Sequence, residues 1–285
     1  MSPRPRCSAN GEELVEGLVD ECVRELDEAR TRVRPIDQFA GRADLALGEA
    51  YRVLLGGIDR RCSRGERVVG LKLGFTSREK AEQMGVSDVI LGVLTDRMQV
   101  DSGGVVDSDL LIHPRVEPEI AFRIGDEVPA AALSARDGRL LDHVTHVAAA
   151  IEIIDSRYRN FSFSLEDVVA DNTSGSHFAV GAWHELTDEL RARGLSGRDV
   201  ELRIDHTVAA TGSTSAILGD PVESLVAARR LALRHGHPIE PGFVVLAGSA
   251  TAAAPLPPGA LVQVTVDGLG EVSLSASDRI GAGVR

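Results

Sequence analysis

Residues 113–122 read HPRVEPEIAF, and this stretch decides the fold prediction because its residues alternate as they do in a β-strand. Val116 and Ile120 fall on one side of the alternation. Glu117 and Glu119 fall on the other, so their side chains project together, two residues apart. Carboxylates held that close repel each other unless a cation lies between them. Because an isolated ExE pattern is more often the solvated face of an edge strand, the rest of the chain has to distinguish the two interpretations.

The composition limits the classes of function. With 285 residues, the chain is near the size at which a single hydrophobic core stops growing, so one large domain or one domain with a helical appendage is expected. Its 43% apolar and 26% charged residues are typical of a soluble globular protein. The formal net charge of -12 argues against a nucleic-acid partner, which would require clustered Lys and Arg. An anionic substrate would therefore need local positive charge.

The sequence predicts a cytoplasmic protein. The first ten residues, MSPRPRCSAN, precede a charged helical pattern without the apolar region of a signal peptide, and no apolar run is long enough to span a bilayer. Cys7, Cys22 and Cys62 are odd in number and widely spaced, with no CxxC pair. This arrangement is typical of reduced thiols that bind no metal.

Helices are predicted first at the N-terminus and then between β-rich segments. Leu14, Leu18, Cys22 and Leu26 recur at helical spacing, and a second helix is predicted within residues 43–61. Further helices are predicted at residues 77–85, 137–154 and 220–236.

The region after the N-terminal helices is dominated by short β-rich runs. Valines alternate before a DGLG turn at residues 267–270 and apolar residues alternate after it, which predicts a C-terminal hairpin. Because strands and helices do not alternate strictly along the chain, we predict an α+β fold with a curled, mostly antiparallel sheet.

Glu152 offers a third carboxylate. It lies at the end of the apolar run HVAAAIEII, where an ionised carboxylate is costly unless it is paired or bound to a cation. Three carboxylates without an accompanying Cys or His suit a hard cation, which favours Mg²⁺ or Mn²⁺ over zinc. The alternative for Glu152 is a salt bridge to a neighbour such as Arg157.

Lys72 is a candidate functional cation. It stands between Leu71 and Leu73 in VVGLKLGFTS, with glycines on both sides that permit close approach of the backbone. If the two leucines face the core, Lys72 points to the other face, where it could carry a proton or bind a substrate carboxylate. The alternative is an ordinary solvated lysine on a strand.

The polar segment DNTSGSHF, residues 171–178, could hold a carboxylate through its hydroxyl and backbone N–H groups, and its alternative is simply a loop. His143 and His146 lie at helical spacing but are expected to be surface residues. Glycine patterns of nucleotide-binding loops, a GxSxG elbow and an HExxH motif do not occur in the sequence.

Six ordered segments resemble the hydratase and decarboxylase branch of the fumarylacetoacetate hydrolase superfamily. The resemblance extends from about Val68 to the end of the chain. An ordered set is far more specific than any one of its members. The segments are GLKLGFTS, QMGV, HPRVEPEIAF, EIIDSRYRNF, VVADNTSGSHF and LAGSATAAAPLPPG.

The resemblance implies a fold and a set of site residues. The fold is like the C-terminal domain of fumarylacetoacetase, a curled mixed sheet or barrel, with an N-terminal helical region at residues 1–66 and a metal-binding catalytic domain at residues 67–285. Thr173 stands where the family's loop usually has Ala, which leaves the loop assignment intact. The expected roles are metal ligation by Glu117, Glu119 and Glu152, catalysis by Lys72, and substrate binding by Arg157, Asp171, Asn172 and Ser174.

Two activities of this branch act on neighbouring compounds of the meta-cleavage pathway for aromatic rings. One removes carbon dioxide from 2-oxo-3-hexenedioate, also called 4-oxalocrotonate, and the other adds water to its product, 2-hydroxypenta-2,4-dienoate. The hydratases tend to have an acidic residue where this chain has Ile90, so the resemblance favours the decarboxylase. Asp88 lies two positions away, and a local shift could bring it into the site.

The resemblance leaves other functions open. The hydratase activity is the runner-up, and a hydrolase of acylpyruvates would require a His-Glu dyad that the sequence does not reveal. A non-catalytic partner that stabilises such an enzyme is the alternative from another class. A homo-oligomer and a complex with the partner hydratase or decarboxylase are also expected, because the two enzymes associate in this family.

Overall fold

The structure is a computed structural model that describes residues 9–77, 88–134 and 139–279. Cys7, the QMGV segment and all of the predicted 77–85 helix except Ser77 lie outside the described residues.

Two long helices form the N-terminal part of the described chain, as predicted. Neither they nor any other described helix combines the length and the apolar character that crossing a membrane requires. The described helices are α1 (Ala9–Thr31), α2 (Leu47–Ser63), α3 (Ala130–Ser134), α4 (Leu165–Ala170), α5 (Asp188–Arg193) and α6 (Pro221–His235).

The predicted ends of helix α6 are confirmed, and a capping contact explains each of them. The Asp220 side chain accepts a hydrogen bond from the backbone N–H of Val222, and Pro221 occupies the first turn, where its missing N–H costs nothing. At the other end Gly236 adopts the left-handed conformation, with φ of 73°, and its N–H donates to the carbonyl of Ala232.

The strands form two sheets. The described strands are β1 (Val68–Gly74), β2 (Ile90–Thr95), β3 (Gln99–Val100), β4 (Val105–Val106), β5 (Arg115–Ile124), β6 (Val144–Ile154), β7 (Gly175–Val180), β8 (His184–Glu185), β9 (Asp199–Ile204), β10 (Thr207–Ser213), β11 (Val244–Ser249), β12 (Ala254–Pro255), β13 (Leu261–Val266) and β14 (Gly270–Ala276). The larger sheet runs in the order β2-β1-β11-β5-β6-β7-β3, with β12 paired to β5 and β8 paired to β6. The smaller sheet has the order β10-β9-β13-β14-β4.

The predicted α+β class and the mostly antiparallel sheet are confirmed. Parallel pairing is restricted to β1 with β11, β3 with β7 and β4 with β14 among the described strands. The C-terminal hairpin is confirmed as well, because β13 and β14 pair antiparallel with Val262 opposite Leu274. The same hairpin packs across β6, so the two sheets enclose a shared apolar core.

The helix predicted over residues 137–154 is wrong. Residues 140–143 form one 3-10 turn, and β6 then runs from Val144 to Ile154 through the centre of the larger sheet. Residues 147–153 are all buried, because sheet neighbours and the second sheet cover both faces of the strand. A strand of this kind loses the polar alternation that marks a half-exposed strand, and its alanines then resemble a helix.

The N-terminal helices share the core of the sheets. Helix α2 packs against α4, and the backbone N–H of Phe39 donates to a carboxylate oxygen of Asp167 at 2.8 Å. Tyr51 and Leu54 belong to the same apolar cluster as the residues between the sheets. The division of the chain at residue 66 therefore remains a prediction.

Candidate metal centre

Strand register brings the three predicted carboxylates together. Glu117 on β5 lies directly opposite Glu152 on the neighbouring strand β6. Glu119 is two residues further along β5 and projects to the same face. One oxygen from each carboxylate lies within 4.8 Å of the others. The pair that the sequence placed on one side of a strand is thus joined by a third carboxylate from the adjacent strand.

This cluster is buried, which makes its negative charge costly. Glu117 is 8% exposed, whereas Glu119 and Glu152 are 1% exposed. Burial raises the pKa of Glu119 well above its usual range, and repulsion from Glu152 and Glu117 raises it further. The Lys72 ammonium acts in the opposite direction, as does a hydrogen bond from the backbone N–H of Gly248.

Glu119 has an oxygen that is available to a cation. Its Oε2 accepts the hydrogen bond from Gly248, but its Oε1 is buried and has no hydrogen-bond partner within the described part of the chain. A buried acceptor without a partner is unusual in a folded protein and points to a missing ion or water. The donor set of the cluster is entirely carboxylate oxygen, which suits a hard divalent cation.

Sequence reasoning missed Gly248, which orients Glu119. Its φ of 116° is rarely adopted by residues with a side chain, and a Cβ atom there would lie 2.1 Å from the Thr76 hydroxyl oxygen. The close approach of β11 to Thr76 therefore requires glycine. The signal that could have found it is the glycine inside the apolar run VVLAGS, since glycine in a strand often marks a close approach.

Lys72 lies beside the carboxylates and is itself 1% exposed, so the interpretation as a solvated strand lysine is wrong. Its Nζ is 2.7 Å from Glu152 Oε1 and donates to the carbonyl oxygen of Thr173 at 3.0 Å. The predicted orientation is confirmed, because Leu71 and Leu73 are buried in the core and Lys72 lies on the opposite face, where it is buried as well.

A glycine makes room for the lysine. Gly92 on β2 lies opposite Lys72, and a Cβ atom there would lie 2.9 Å from Lys72 Cγ and 3.1 Å from the carbonyl oxygen of Asn172. A side chain at this position would therefore displace either the lysine or the loop that holds it.

The loop after α4 has an unusual backbone. Asn172, Thr173 and Ser174 have φ values of 51°, 54° and 55°, which non-glycine residues adopt only when their surroundings enforce it. The Asn172 side chain supplies part of that enforcement, because it accepts from the N–H of Val93 at 2.8 Å and donates to the carbonyl of Val93 at 2.9 Å. The loop is thereby fixed to β2, with the Thr173 carbonyl directed at Lys72.

Arg157 and Asp171 form a buried pair at the start of this loop. The Nε and the backbone N–H of Arg157 both donate to the Asp171 carboxylate, and its terminal nitrogens donate to backbone carbonyls of Asp155, Asp171 and Gly175. Burial raises the pKa of Asp171 to about 6, and the attraction of Arg157 limits the rise. The salt bridge suggested between Arg157 and Glu152 is therefore replaced by this pair and by the Lys72–Glu152 contact.

The site places the predicted residues in two groups. Glu117, Glu119, Glu152 and Lys72 lie together around one point, and could hold a metal ion. Asp171, Asn172 and Ser174 belong to the adjacent loop, and Arg157 lies in the segment after β6 that contacts it. Arg157, Asp171 and Asn172 are bonded to protein groups through their side chains, and the backbone carbonyl of Ser174 accepts from the N–H of Asp155.

Comparisons with known proteins place this geometry in context. No family model matches the chain. A 4-oxalocrotonate decarboxylase of a Pseudomonas species is 44% identical over 268 residues, which cover 91% of this chain and 98% of that protein. A 2-keto-4-pentenoate hydratase of Paraburkholderia xenovorans is 29% identical over 259 residues, covering 89% of this chain and 93% of the hydratase.

A solved structure shares the whole fold. The 4-oxalocrotonate decarboxylase from Pseudomonas putida G7, complexed with magnesium and adipate, superposes with a TM-score of 0.81 and 33% identity. The match covers 95% of this chain and 100% of that protein. The predicted fold class is thus confirmed.

Proposed function

The chain belongs to the hydratase and decarboxylase branch of the fumarylacetoacetate hydrolase superfamily, and we propose that it is a metal-dependent lyase that decarboxylates 2-oxo-3-hexenedioate to 2-hydroxypenta-2,4-dienoate. The observation that carries this proposal is the buried centre of three carboxylates and one lysine in a chain that matches nearly the full length of a decarboxylase. Its place would be the meta-cleavage pathway for aromatic compounds.

Glu117, Glu119 and Glu152 would hold the metal, Mg²⁺ or Mn²⁺. Among these carboxylates and Lys72, three negative charges face one positive charge, so a divalent cation would bring the group to neutrality. When bound, such an ion would act as a Lewis acid toward the substrate carboxylate and its adjacent oxygen.

Lys72 would act directly on the substrate. Two of the three N–H groups of an ammonium face Glu152 and the Thr173 carbonyl, and the proposal assigns the third to the substrate, as carboxylate anchor or proton donor. The hydrogen bonds from Asn172 to the Val93 backbone and the Arg157–Asp171 pair would fix the loop that orients this lysine. Direct substrate contacts by Arg157, Asp171, Asn172 and Ser174 remain predictions.

The surroundings of the centre favour decarboxylation over hydration. Hydration requires a group that handles the protons of the incoming water, whereas Ile90 is aliphatic and 2% exposed. Asp88, the nearby acid, accepts from both terminal nitrogens of Arg230 at 2.7 and 2.6 Å on the surface. The higher identity to a decarboxylase, 44% against 29% for a hydratase, agrees with this assignment.

We extend the proposal to the setting of the enzyme. A cytoplasmic location is supported by Cys22 and Cys62, which are free thiols. A homo-oligomer and a complex with the hydratase that consumes the product are proposed from the family resemblance. The alternative of a non-catalytic partner is less favoured, because the complete charged centre would then have no use.

Incubation of the purified protein with each of the two compounds tests the function. Mg²⁺ is added, 2-oxo-3-hexenedioate and freshly prepared 2-hydroxypenta-2,4-dienoate are supplied separately, and each reaction is followed by ultraviolet absorbance and mass. Loss of carbon dioxide from the first, without water addition to the second, is expected. Water addition to the second alone would make the protein a hydratase, and no reaction with either Mg²⁺ or Mn²⁺ would favour the non-catalytic role.

A further inference from the structure

Helix α6 borders a groove away from the metal centre. The groove has a volume of about 700 Å³, within the range of small-molecule sites, and it lies between α6 and the turn at residues 139–141. Its walls are largely aliphatic, from leucines and valines of both segments. Two of these, Val226 and Leu233, are 59% and 47% exposed, which leaves an open apolar face along the helix.

Positive charge dominates the polar part of the groove. Among the described residues that line it, four are arginines, and Glu223 is the single carboxylate. Arg230 is neutralised by Asp88. Arg139 and Arg234 take part in none of the ion pairs found within the described ranges. The groove is therefore cationic in a chain whose net charge is -12.

Arg229 is the unusual member of this set. It lines the groove, yet it is only 6% exposed, so it forms part of the floor. Its Nε, Nη1 and Nη2 atoms are all buried and have no hydrogen-bond partner in the part of the chain that the structure describes. The other buried arginines of the described residues are bonded: Arg61 pairs with Glu66, Arg157 pairs with Asp171, and the terminal nitrogens of Arg198 donate to the backbone carbonyls of Asp267 and Gly194.

A buried guanidinium without a partner is costly to the fold. Buried charges in proteins are ordinarily paired, because desolvation costs several kcal/mol per ion. A carboxylate satisfies a guanidinium well, since its two oxygens accept from the planar fork of N–H groups. The aliphatic walls would at the same time accept an apolar body attached to that carboxylate.

We propose that this groove is a second ligand site, which binds a monocarboxylate with a short apolar chain, its carboxylate paired with Arg229. The chemistry is that of an amphipathic organic acid, a class that includes the product of the proposed function, whereas the substrate is a dicarboxylate. The site is separate from the metal centre, because Arg229 and its neighbours on α6 contribute nothing to the carboxylate cluster. Binding there would permit an organic acid to act on the enzyme without occupying the metal.

A small acid fits these observations better than a protein segment. The Arg229 guanidinium lies in the floor of the groove. Its missing hydrogen bonds all belong to that one side chain, so a single carboxylate can supply them. A protein segment would be expected to cover an extended surface with many polar contacts.

Calorimetric titration with hexanoate tests the proposal on the full chain. Hexanoate is titrated into protein freed of metal with a chelator and into protein loaded with Mg²⁺, because binding at the metal centre depends on the metal whereas binding in the groove does not. Hexylamine has the same apolar chain with the opposite charge, and acetate has the charge with almost no chain. Arg229→Met is compared with Arg24→Met, which removes the same charge from an exposed position on α1.

Hexanoate is expected to bind the metal-free protein, and Arg229→Met should weaken it about tenfold or more, in line with a charge-assisted hydrogen bond. Arg24→Met should leave the affinity unchanged, and hexylamine and acetate should bind far more weakly. The urea midpoint of Arg229→Met should be unchanged or higher, because a buried unpaired charge has been removed. If that variant does not fold, Arg229→Lys should still weaken hexanoate several-fold by removing the planar fork.

Four results would overturn the proposal. These are no hexanoate binding at millimolar concentration, binding that requires Mg²⁺ and survives Arg229→Met, equal binding of hexylamine, and a change of oligomeric state in Arg229→Met without any hexanoate binding. The last would assign the groove to a contact between protein chains. None of these readouts uses turnover, so failure of this proposal and failure of the proposed function are distinguishable.

Discussion

At the scale of single residues, the proposed metal centre places three carboxylates where the described protein groups do not neutralise them. Burial and repulsion from the neighbouring carboxylates both raise the pKa of Glu119, and the Lys72 ammonium offsets only part of this rise. The residues that would bind the cation are therefore residues that destabilise the metal-free protein. Removal of one of these carboxylate charges is therefore expected to stabilise the metal-free protein and to impair its function.

Glu117→Gln is expected to weaken metal binding and abolish most turnover, because it removes one of three ligand carboxylates. The loss should exceed the ~10–100-fold that removal of an outer-shell partner costs. Titration calorimetry with Mg²⁺ or Mn²⁺ and the decarboxylation assay measure it. The exposed Glu185→Gln serves as the matched control, and unchanged binding and turnover in Glu117→Gln would refute the assigned metal site.

Glu119→Gln is expected to stabilise the metal-free protein at alkaline pH. The folded-state pKa of Glu119 lies above its unfolded value, so ionisation opposes folding, and the stability of the wild type falls as pH rises through the raised pKa. The amide removes this cost, so the free energy of unfolding of the variant should exceed that of the wild type at high pH. Urea unfolding of chelated protein at acidic and at alkaline pH measures the difference, and a lower stability of the variant at high pH would contradict the argument.

Lys72→Met is expected to lower turnover by about 10²- to 10⁴-fold, the range typical of a lost proton-transfer group. The side chain keeps similar length, so packing between β1 and Gly92 is retained. Steady-state kinetics with 2-oxo-3-hexenedioate, together with metal titration, separates a catalytic defect from loss of the metal. Unaltered turnover would remove Lys72 from the mechanism.

At the scale of elements, the centre depends on how neighbouring strands approach each other. Strands β5 and β6 supply the carboxylates, β11 supplies the amide that orients Glu119, and β2 anchors the loop that contacts Lys72. The ExE alternation predicted the face of β5 correctly because it depends only on local geometry. The hydrogen bonds between the Asn172 side chain and the Val93 backbone could not be predicted, since these residues are 79 positions apart in the sequence.

Strand β6 shows the limit of local patterns most clearly. Its alanines and continuous burial gave a helical interpretation, and only its tertiary position between β5 and β7 explains the extended structure. Glu152 was nevertheless identified, because the cost of a carboxylate in an apolar run holds for either secondary structure.

Gly248→Ala is expected to destabilise the protein by about 1–3 kcal/mol, since the backbone conformation disfavours a side chain and the added methyl group meets Thr76. It should also reduce metal affinity, because Glu119 loses its orienting N–H group. Gly57→Ala is the matched control: its Cβ would meet nothing within 4 Å, and alanine in a helix should be neutral or stabilising by about 0.5–1 kcal/mol. Equal effects of the two substitutions in urea unfolding would contradict this account.

At the scale of the whole molecule, the N-terminal helices and both sheets share one large apolar core, and a second, smaller apolar cluster that includes Leu94, Met98 and Phe178 is separate from it. His237 is buried and His177 is half-buried, and desolvation lowers the pKa of both to about 4. Composition had indicated a single large domain or a domain with an appendage, and periodicity alone could not decide how the helices pack.

Acid is therefore expected to destabilise the protein. The folded pKa of His237 lies below its unfolded value near 6.5, so the unfolded chain takes up a proton first, and stability falls as pH drops from about 6.5 to about 4. Each of the two histidines contributes up to about 3 kcal/mol over this window. His237→Phe should flatten the dependence in urea unfolding, whereas substitution of the exposed His206 should not. An unchanged slope in His237→Phe would show that other groups govern acid unfolding.

The register of β5 against β6 has a consequence for how the chain folds. Glu117 faces Glu152 only in one pairing, and a slip by a single residue would turn both β5 carboxylates into the apolar core. A cation that bridges the two strands would therefore stabilise one register among several that backbone hydrogen bonding alone permits. In this protein, the ion that serves the chemistry would also select the correct strand register when the central sheet assembles.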